Sequence, residues 1–175
     1  MSVISEEYRA LLTQEHIEAN EKWGTTAQGM VPRIMSFVQR TDHKTILDYG
    51  AAHGGFRKKL AKQHPEYNVI DYEPGRVDAS AAPEPCNMVI CVDVLEHVEP
   101  DCLEEVLNDL QRVVLDKAYF QVATRKAVKI LKDGRNAHLI VEPFDWWEPQ
   151  ISSRFNILEK KVTRGSFEVY LEKKV

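Results

Sequence analysis

The run Ile46-Leu47-Asp48-Tyr49-Gly50-Ala51-Ala52-His53-Gly54-Gly55 joins a short apolar segment to a turn of small residues. Residues 45–49 have the pattern of a compact strand, and Phe56 and Leu60 beyond the turn indicate a short helix. Small residues between a strand and a helix let the backbone approach a ligand closely. The first N–H groups of the helix have no partner within it. The run therefore predicts a ligand-binding turn at the end of a strand.

Strand patterns continue on the C-terminal side of this run. Further strands are predicted at residues 67–72, 88–92, 118–123, 156–163 and 166–171. Residues 88–92 lack polar alternation, which is typical of a strand buried on both faces. Arg164-Gly165 joins the last two strands and is a hairpin signal.

Helical patterns separate these strands. Two helices are predicted before residue 42, with the turn-rich Trp23-Gly24-Thr25-Thr26 between them. Another helix is predicted from Asp101, where Glu104 completes a capping box. Alternating strands and helices predict an α/β fold with a mostly parallel sheet, helices on both faces and a C-terminal antiparallel hairpin.

Composition narrows the class of protein. The 175 residues suit one domain, and a net charge of −4 argues against binding to bulk nucleic acid. No apolar run is long enough to span a membrane, and the acidic first residues do not resemble a signal peptide. The three cysteines form no CxxC pair, so a cytoplasmic location is expected. The oligomeric state is left open.

Two carboxylates flank the predicted binding turn. Asp48 lies at the end of the first strand, where it can pair with a cationic amine, and Glu73 follows the second strand, where a carboxylate can accept both ribose hydroxyls. The run resembles motif I of class I S-adenosylmethionine (SAM) dependent methyltransferases, in which an acidic residue precedes Gly-x-Gly-x-Gly. Gly50 and Gly54 match the outer glycines, and Ala52 replaces the middle one. Glu73 matches the acidic residue of the family.

A second segment, residues 89–98, resembles the signature that follows the fourth strand of the same family. The resemblance implies a Rossmann-like class I methyltransferase fold that binds SAM, with Asp93 among the cofactor residues. One departure is the short, proline-rich segment after Glu73. The family usually has a third strand there, which ends in an acidic residue that meets adenine, and Asp78 is a weak match.

Asp93, Glu96 and His97 would share one helical turn if this segment were helical. The layout resembles the acidic-x-x-Glu-His element of metal-dependent O-methyltransferases, and His138 resembles their downstream histidine. This resemblance implies a site for Mg²⁺ or another divalent ion on these four residues. Without a metal, His97 or His138 is predicted to be the general base.

The predicted function is methyl transfer from SAM to a hydroxyl of a small molecule, a sugar or a terminal ribose. Residues 1–42 are expected to form N-terminal helices that act as a lid on a Rossmann-like core at residues 43–175. Two alternatives stay open. The altered motif I suits a non-catalytic partner subunit, and Gly50, Ala52 and Gly55 fit a degraded nicotinamide-binding pattern.

Overall fold

A mixed sheet organises the chain in the computed structural model, which describes residues 2–19 and 24–174. Within those residues the sheet has six strands: β1 (Thr45–Tyr49), β2 (Asn68–Tyr72), β3 (Cys86–Val92), β4 (Val114–Ala123), β5 (Phe155–Val162) and β6 (Ser166–Lys173). Their order across the sheet is β2-β1-β3-β4-β6-β5. β1 pairs in parallel with β2 and β3, and β3 pairs in parallel with β4. β6 runs antiparallel to β4 and β5, which confirms the predicted hairpin.

The helices cover both faces of the sheet, as predicted. They are α1 (Glu6–Ala19), α2 (Thr26–Gly29), α3 (Val31–Val38), α4 (Gly55–Gln63), α5 (Leu103–Val113) and α6 (Phe144–Ser152). α3 and α4 bury an apolar stripe on one face, and α5 and α6 do so on the other. None of the helices in the described ranges is both long and apolar enough to cross a bilayer. Trp23, in the predicted break between helices, lies outside the described residues.

The start of α5 corrects one prediction. Pro100–Cys102 forms a 3₁₀ turn, and α5 begins at Leu103 with no side-chain cap, so Asp101 is not its N-cap. Glu104 instead accepts a hydrogen bond from the guanidinium of Arg154, which lies on a distant segment. A long-range ion pair therefore takes the carboxylate that the local pattern assigned to a capping box.

Burial fixes where the polar ends of the strands lie. Met88, Val89, Ile90 and Cys91 of β3 are fully buried, because helices cover the sheet on both sides. The polar residues after β1, β2 and β3 must then gather at the carboxyl edge of the sheet, since these three strands are parallel. No strand forms in the described segment between β2 and β3, so β2 is an edge of the sheet.

Candidate functional site

Main-chain conformation and main-chain hydrogen bonds shape the turn between β1 and α4. Gly50, Ala52 and Gly54 adopt left-handed φ angles of 85°, 44° and 68°. The N–H groups of Gly50 and Ala51 both donate to the carbonyl of Tyr72, at 2.8 and 2.9 Å. A Cβ placed on Gly50 would lie 2.3 Å from Val94 Cγ2, so a glycine is needed for the turn to pack against the segment after β3.

Glu73 follows β2 and joins the turn to its neighbours. Its carboxylate accepts hydrogen bonds from the N–H groups of Ala52, at 3.1 Å, and Gly75, at 3.0 Å. The Nε2 atom of His16, on α1, lies 3.6 Å from Glu73 Oε1. Burial alone would raise the pKa of Glu73, but these contacts with His16 and the two amides bring the pKa below its usual value. Glu73 is therefore a buried, ionised acceptor.

Asp48 lies beneath the turn and not in the wall of the cleft that the turn borders. Its side chain is buried, and among the described residues its Oδ2 atom has no hydrogen-bond partner. Burial, with the charges of Asp71 and Glu73, raises the pKa of Asp48 to about 8. Burial therefore favours a neutral carboxyl at Asp48, and its direct pairing with a cationic amine stays a prediction.

The cleft itself opens at the carboxyl edge of the sheet and measures about 970 Å³, counted to its open mouth. A concave site with a mainly apolar lining and a few polar groups is the usual form of a small-molecule or cofactor site. The predicted site residues divide into two sets. Those in its wall are Gly50, Ala52, Glu73, Asp93 and His97, whereas Asp48, Gly54, Glu96, His138 and Asp78 lie outside it. Asp78, the weak candidate for adenine, forms an ion pair with Arg76 instead.

Helix α1 covers the cleft and touches both of its sides. Tyr8 Oη donates to the carbonyl of His97 at 3.0 Å, beside β3. Ser5 donates to the carboxylate of Glu99 through its N–H and its hydroxyl, at 2.9 and 2.8 Å. His16 reaches Glu73 on the opposite side. The segment from Ser5 to His16 therefore contacts the cleft on both of its sides.

Asp93 directly follows β3 and has an unusual backbone conformation. Its φ of 60° is left-handed, which is strained for a residue with a side chain. The Oγ1 hydroxyl of Thr26, at the start of α2, donates to Asp93 Oδ2 at 2.8 Å. The N–H of Asp93 donates to the carbonyl of Gln121 on β4. Contacts from two separate elements therefore hold the Asp93 carboxylate in the cleft wall.

Asp93, His97 and His138 form one cluster, in which a ligand atom of each lies within 4.8 Å of those of the others. The Nδ1 atoms of His97 and His138 lie 2.7 and 2.6 Å from the carbonyl oxygens of Ala137 and Arg125. A carbonyl only accepts, so each Nδ1 carries the proton and the lone pair of each neutral ring lies on Nε2. Burial, only partly opposed by Asp93, lowers the pKa of His97, which favours its neutral form.

Glu96 corrects the predicted four-residue metal site. Asp93 precedes the 3₁₀ turn Leu95–His97, so the residues do not share the helical turn that the spacing assumed. Glu96 is fully buried, and its Oε1 accepts a hydrogen bond from the N–H of Ala123. Burial and the nearby Asp93 raise the pKa of Glu96 well above its usual value. Glu96 supports β4 and is not a member of the cluster.

Two contributors to the site had no signal in the sequence analysis. Thr26 binds Asp93 from 67 positions away, and Arg76 donates to the carbonyl of Ala52 from 24 positions away. Both contacts depend on tertiary folding, and a lone threonine or arginine in a polar segment carries no local pattern. Tyr8 and His16, both on α1, also line the cleft.

Comparisons with known proteins agree with this geometry. A family model described as a methyltransferase domain matches residues 23–157. No curated protein sequence matches the chain. An O-methyltransferase family protein from Burkholderia thailandensis is similar in structure, with a TM-score of 0.70 and 13% identity over 99% of this chain. The chain spans 64% of the length of that protein.

Two N-methyltransferases are similar as well. NodS from Bradyrhizobium japonicum WM9, solved with S-adenosyl-L-homocysteine, has a TM-score of 0.63 and 11% identity over 95% of this chain and 99% of its own. The 1,6-didemethyltoxoflavin-N1-methyltransferase of Burkholderia thailandensis has a TM-score of 0.61 and 14% identity over 97% and 90%. These likenesses show the fold, and the family model covers well over half of the chain. The chain therefore belongs to the methyltransferase-domain family and has the fold of the class I methyltransferases.

Proposed function

We propose that the enzyme transfers the methyl group of SAM to a hydroxyl group of a small molecule, a sugar or a terminal ribose. The observation that supports this choice is the cluster of two imidazoles beside Asp93, in which each Nδ1 donates to a backbone carbonyl. A hydroxyl must lose its proton to become a good nucleophile, and a neutral imidazole can take that proton. Similar structures include both O- and N-methyltransferases, so the choice depends on the site.

The cofactor end of the cleft suits SAM through its backbone and its carboxylates. Glu73, kept ionised, is the proposed acceptor for the ribose hydroxyls. The turn from Gly50 to Gly54 lets the main chain approach the methionine portion, and Asp93 attracts its cationic groups. Asp48 supports the turn from beneath. SAM supplies a methyl group on a positively charged sulfur, and the chain orients it and excludes water.

Proton removal is assigned to His97, which lines the cleft, with His138 packed edge-on against it at 4.8 Å between ring centroids. The acceptor oxygen gains the methyl group as the carbon–sulfur bond breaks, and its proton passes to Nε2 of His97. The carbonyls of Ala137 and Arg125 fix the tautomers that place the lone pairs on Nε2. His138 then serves as a second base that holds or relays the proton.

Methyl-labelled SAM tests the proposal directly. The enzyme is incubated with pairs of acceptors that differ only in the nucleophile, such as a phenol with its aniline and a sugar with its amino sugar. Labelled product is expected on the hydroxyl member of a pair, identified by mass spectrometry. Transfer to the amine members alone would contradict O-methylation and leave the family assignment intact. Absence of SAM binding by titration calorimetry would favour the non-catalytic alternative.

The same cluster supports a second role, as a divalent-metal site. Asp93, His97 and His138 would be the ligands, without Glu96. Histidines that bind metals usually donate the other ring N–H to a carbonyl or carboxylate, as both rings do here. Two imidazoles and one carboxylate suit Mn²⁺, Fe²⁺ or Zn²⁺ better than Mg²⁺. A bound ion would lower the pKa of the acceptor hydroxyl as a Lewis acid.

Chelation separates the two roles. If the cluster holds a metal, treatment with EDTA should abolish activity, and Mn²⁺ or Zn²⁺ should restore it. Mn²⁺ added to the chelated protein should also raise its melting temperature, and a His138→Ala variant should lose that shift. Full activity after chelation would contradict the metal site and support the imidazoles as general bases.

We also propose that the chain works as a single domain in which residues 1–42 act as a lid on the core at residues 43–175. The contacts of Tyr8 and Ser5 on one side of the cleft, and of His16 on the other, support this role. Residues 124–155, which carry His138, shape the acceptor end. A cytoplasmic location and a small acceptor, not bulk nucleic acid, stay predictions from composition and charge.

A further inference from the structure

Ala52 occupies the position where the related motif has its middle glycine. The residue is 8% exposed and lines the cleft, and its φ is 44°. A side chain makes this left-handed conformation unfavourable, and non-glycine residues keep it only where the surroundings impose it. Other groups in this chain must therefore stabilise the left-handed conformation that glycine adopts without cost in the related motif.

Both polar groups of the Ala52 residue are held by charged side chains. Its N–H donates to Glu73 Oε2 at 3.1 Å, and its carbonyl accepts from Arg76 Nη1 at 2.7 Å. Hydrogen bonds with a charged partner are stronger than those between neutral groups. Glu73 and Arg76 thus bind the N–H and the carbonyl of Ala52, and both contacts are made with Ala52 in the left-handed conformation.

The methyl group of Ala52 is accommodated by a second glycine. A Cβ placed on Gly24 would lie only 2.2 Å from Ala52 Cβ. The space that a side chain at position 24 would need is therefore filled by the methyl group. The alanine is built into the packing of the turn, and its left-handed conformation is not an isolated irregularity.

Arg76 is itself fixed in place. Its Nε and Nη2 atoms donate to the two carboxylate oxygens of Asp78 at 3.1 and 2.5 Å. Its Nη1 atom also lies 3.6 Å from Asp71 Oδ2. The Arg76 side chain is 16% exposed and does not line the cleft, and it contacts the cleft wall through the carbonyl of Ala52.

We propose that Arg76 is a positioning residue, which together with Glu73 holds Ala52 in the left-handed conformation that presents the binding turn to SAM. The pair compensates for the replacement of the middle glycine. This inference rests on the proposed cofactor site and adds a residue outside the cleft to it. Loss of Arg76 would release the carbonyl of Ala52 and let the residue relax toward a negative φ, which would move the turn away from the ligand.

A double-mutant cycle tests this coupling, with SAM affinity measured by titration calorimetry. Arg76→Ala is expected to weaken SAM binding by roughly tenfold, as for the loss of one charge-assisted hydrogen bond. Ala52→Gly alone should bind SAM at least as well as the natural chain. In the Ala52→Gly background, Arg76→Ala should cost less than about threefold, since glycine adopts positive φ without help. An equal loss in both backgrounds would overturn the proposal.

Arg57 provides the matched control. The Nε atom of Arg57 donates to the same Asp71 Oδ2, at 2.9 Å, and Arg57→Ala should leave SAM affinity unchanged because the hydrogen bond from Arg76 to Ala52 remains. A loss as large as that of Arg76→Ala would assign the effect to Asp71 and refute the role of Ala52. If Arg76→Ala fails to fold, Arg76→Lys keeps one donor, and the same cycle applies to it. Unchanged affinity in Glu73→Gln would instead show that the cofactor site is elsewhere.

Discussion

The two ends of the cleft are built differently. At the cofactor end, the main chain forms the site, through left-handed residues and amides that bind Tyr72 and Glu73. At the acceptor end, side chains form it, and contacts from distant elements orient Asp93, His97 and His138. The turn at the first end follows a contiguous sequence pattern, although Glu73 and Arg76 reach it only in the folded chain, whereas the second end depends on tertiary contacts throughout. A variant at one end should therefore change binding, and a variant at the other should change turnover.

The strongest test of this separation is His97→Ala. Without the proposed base, turnover of a hydroxyl acceptor should fall by roughly 1,000-fold, within the usual contribution of general base catalysis. SAM affinity, measured by calorimetry, should stay within about threefold, because His97 contributes little to a site formed mainly by backbone groups. His64→Ala, which removes a histidine at the end of α4, serves as the control and should behave like the natural chain. Equal losses of SAM affinity and turnover would contradict the separation of cofactor binding from proton removal.

Glu73→Ala tests the cofactor end. The change removes the proposed ribose acceptor and the partner of two buried amides, so SAM affinity should fall by roughly 100-fold. Turnover at saturating SAM should change far less. Glu84→Ala, which removes an exposed carboxylate before β3, should leave both quantities unchanged. A loss of turnover with normal SAM affinity would show that Glu73 acts on the acceptor and does not bind the cofactor.

The cofactor end was more predictable from the sequence than the acceptor end. The strand, turn and helix around Gly50 were predictable, because each is set by a contiguous pattern of apolar and small residues. β3 was recognised as buried, and Arg164-Gly165 as a hairpin, for the same reason. These local patterns were enough to predict a mostly parallel sheet with a C-terminal antiparallel hairpin.

The acceptor end was less predictable because its contacts are long-range. The spacing of Asp93, Glu96 and His97 suggested a shared helical turn, but a left-handed Asp93 stands before a short 3₁₀ turn and Glu96 faces β4. At Asp101, Pro100 begins a 3₁₀ turn and Arg154 binds Glu104, so the capping pattern was not realised. Residue spacing gives the elements, whereas the direction of each side chain depends on what packs against it.

Asp48 offers a smaller effect, on stability. Its pKa is raised to about 8 in the folded chain from 3.8, so folding favours the neutral carboxyl. That stabilisation is complete below about pH 4 and is lost as the pH rises through 8. Between pH 6 and 8 the natural chain should lose about 2 kcal/mol relative to Asp48→Asn, which cannot ionise. Thermal melting of both proteins across this range measures the difference, and parallel curves would show that Asp48 is ionised when folded.

The smallest expected effect is at Thr26, which joins the lid to the acceptor end. Thr26→Val keeps the shape of the side chain and removes the hydroxyl that holds Asp93 Oδ2 at 2.8 Å. Turnover should fall by about fivefold, as for the loss of one hydrogen bond to a carboxylate, and SAM affinity should change less. Thr26→Ser restores the hydroxyl and should recover most of the turnover. If serine and valine were equally impaired, the methyl group of Thr26 and not its hydrogen bond would position Asp93, and the acceptor end would depend on packing as the turn at Gly50 does.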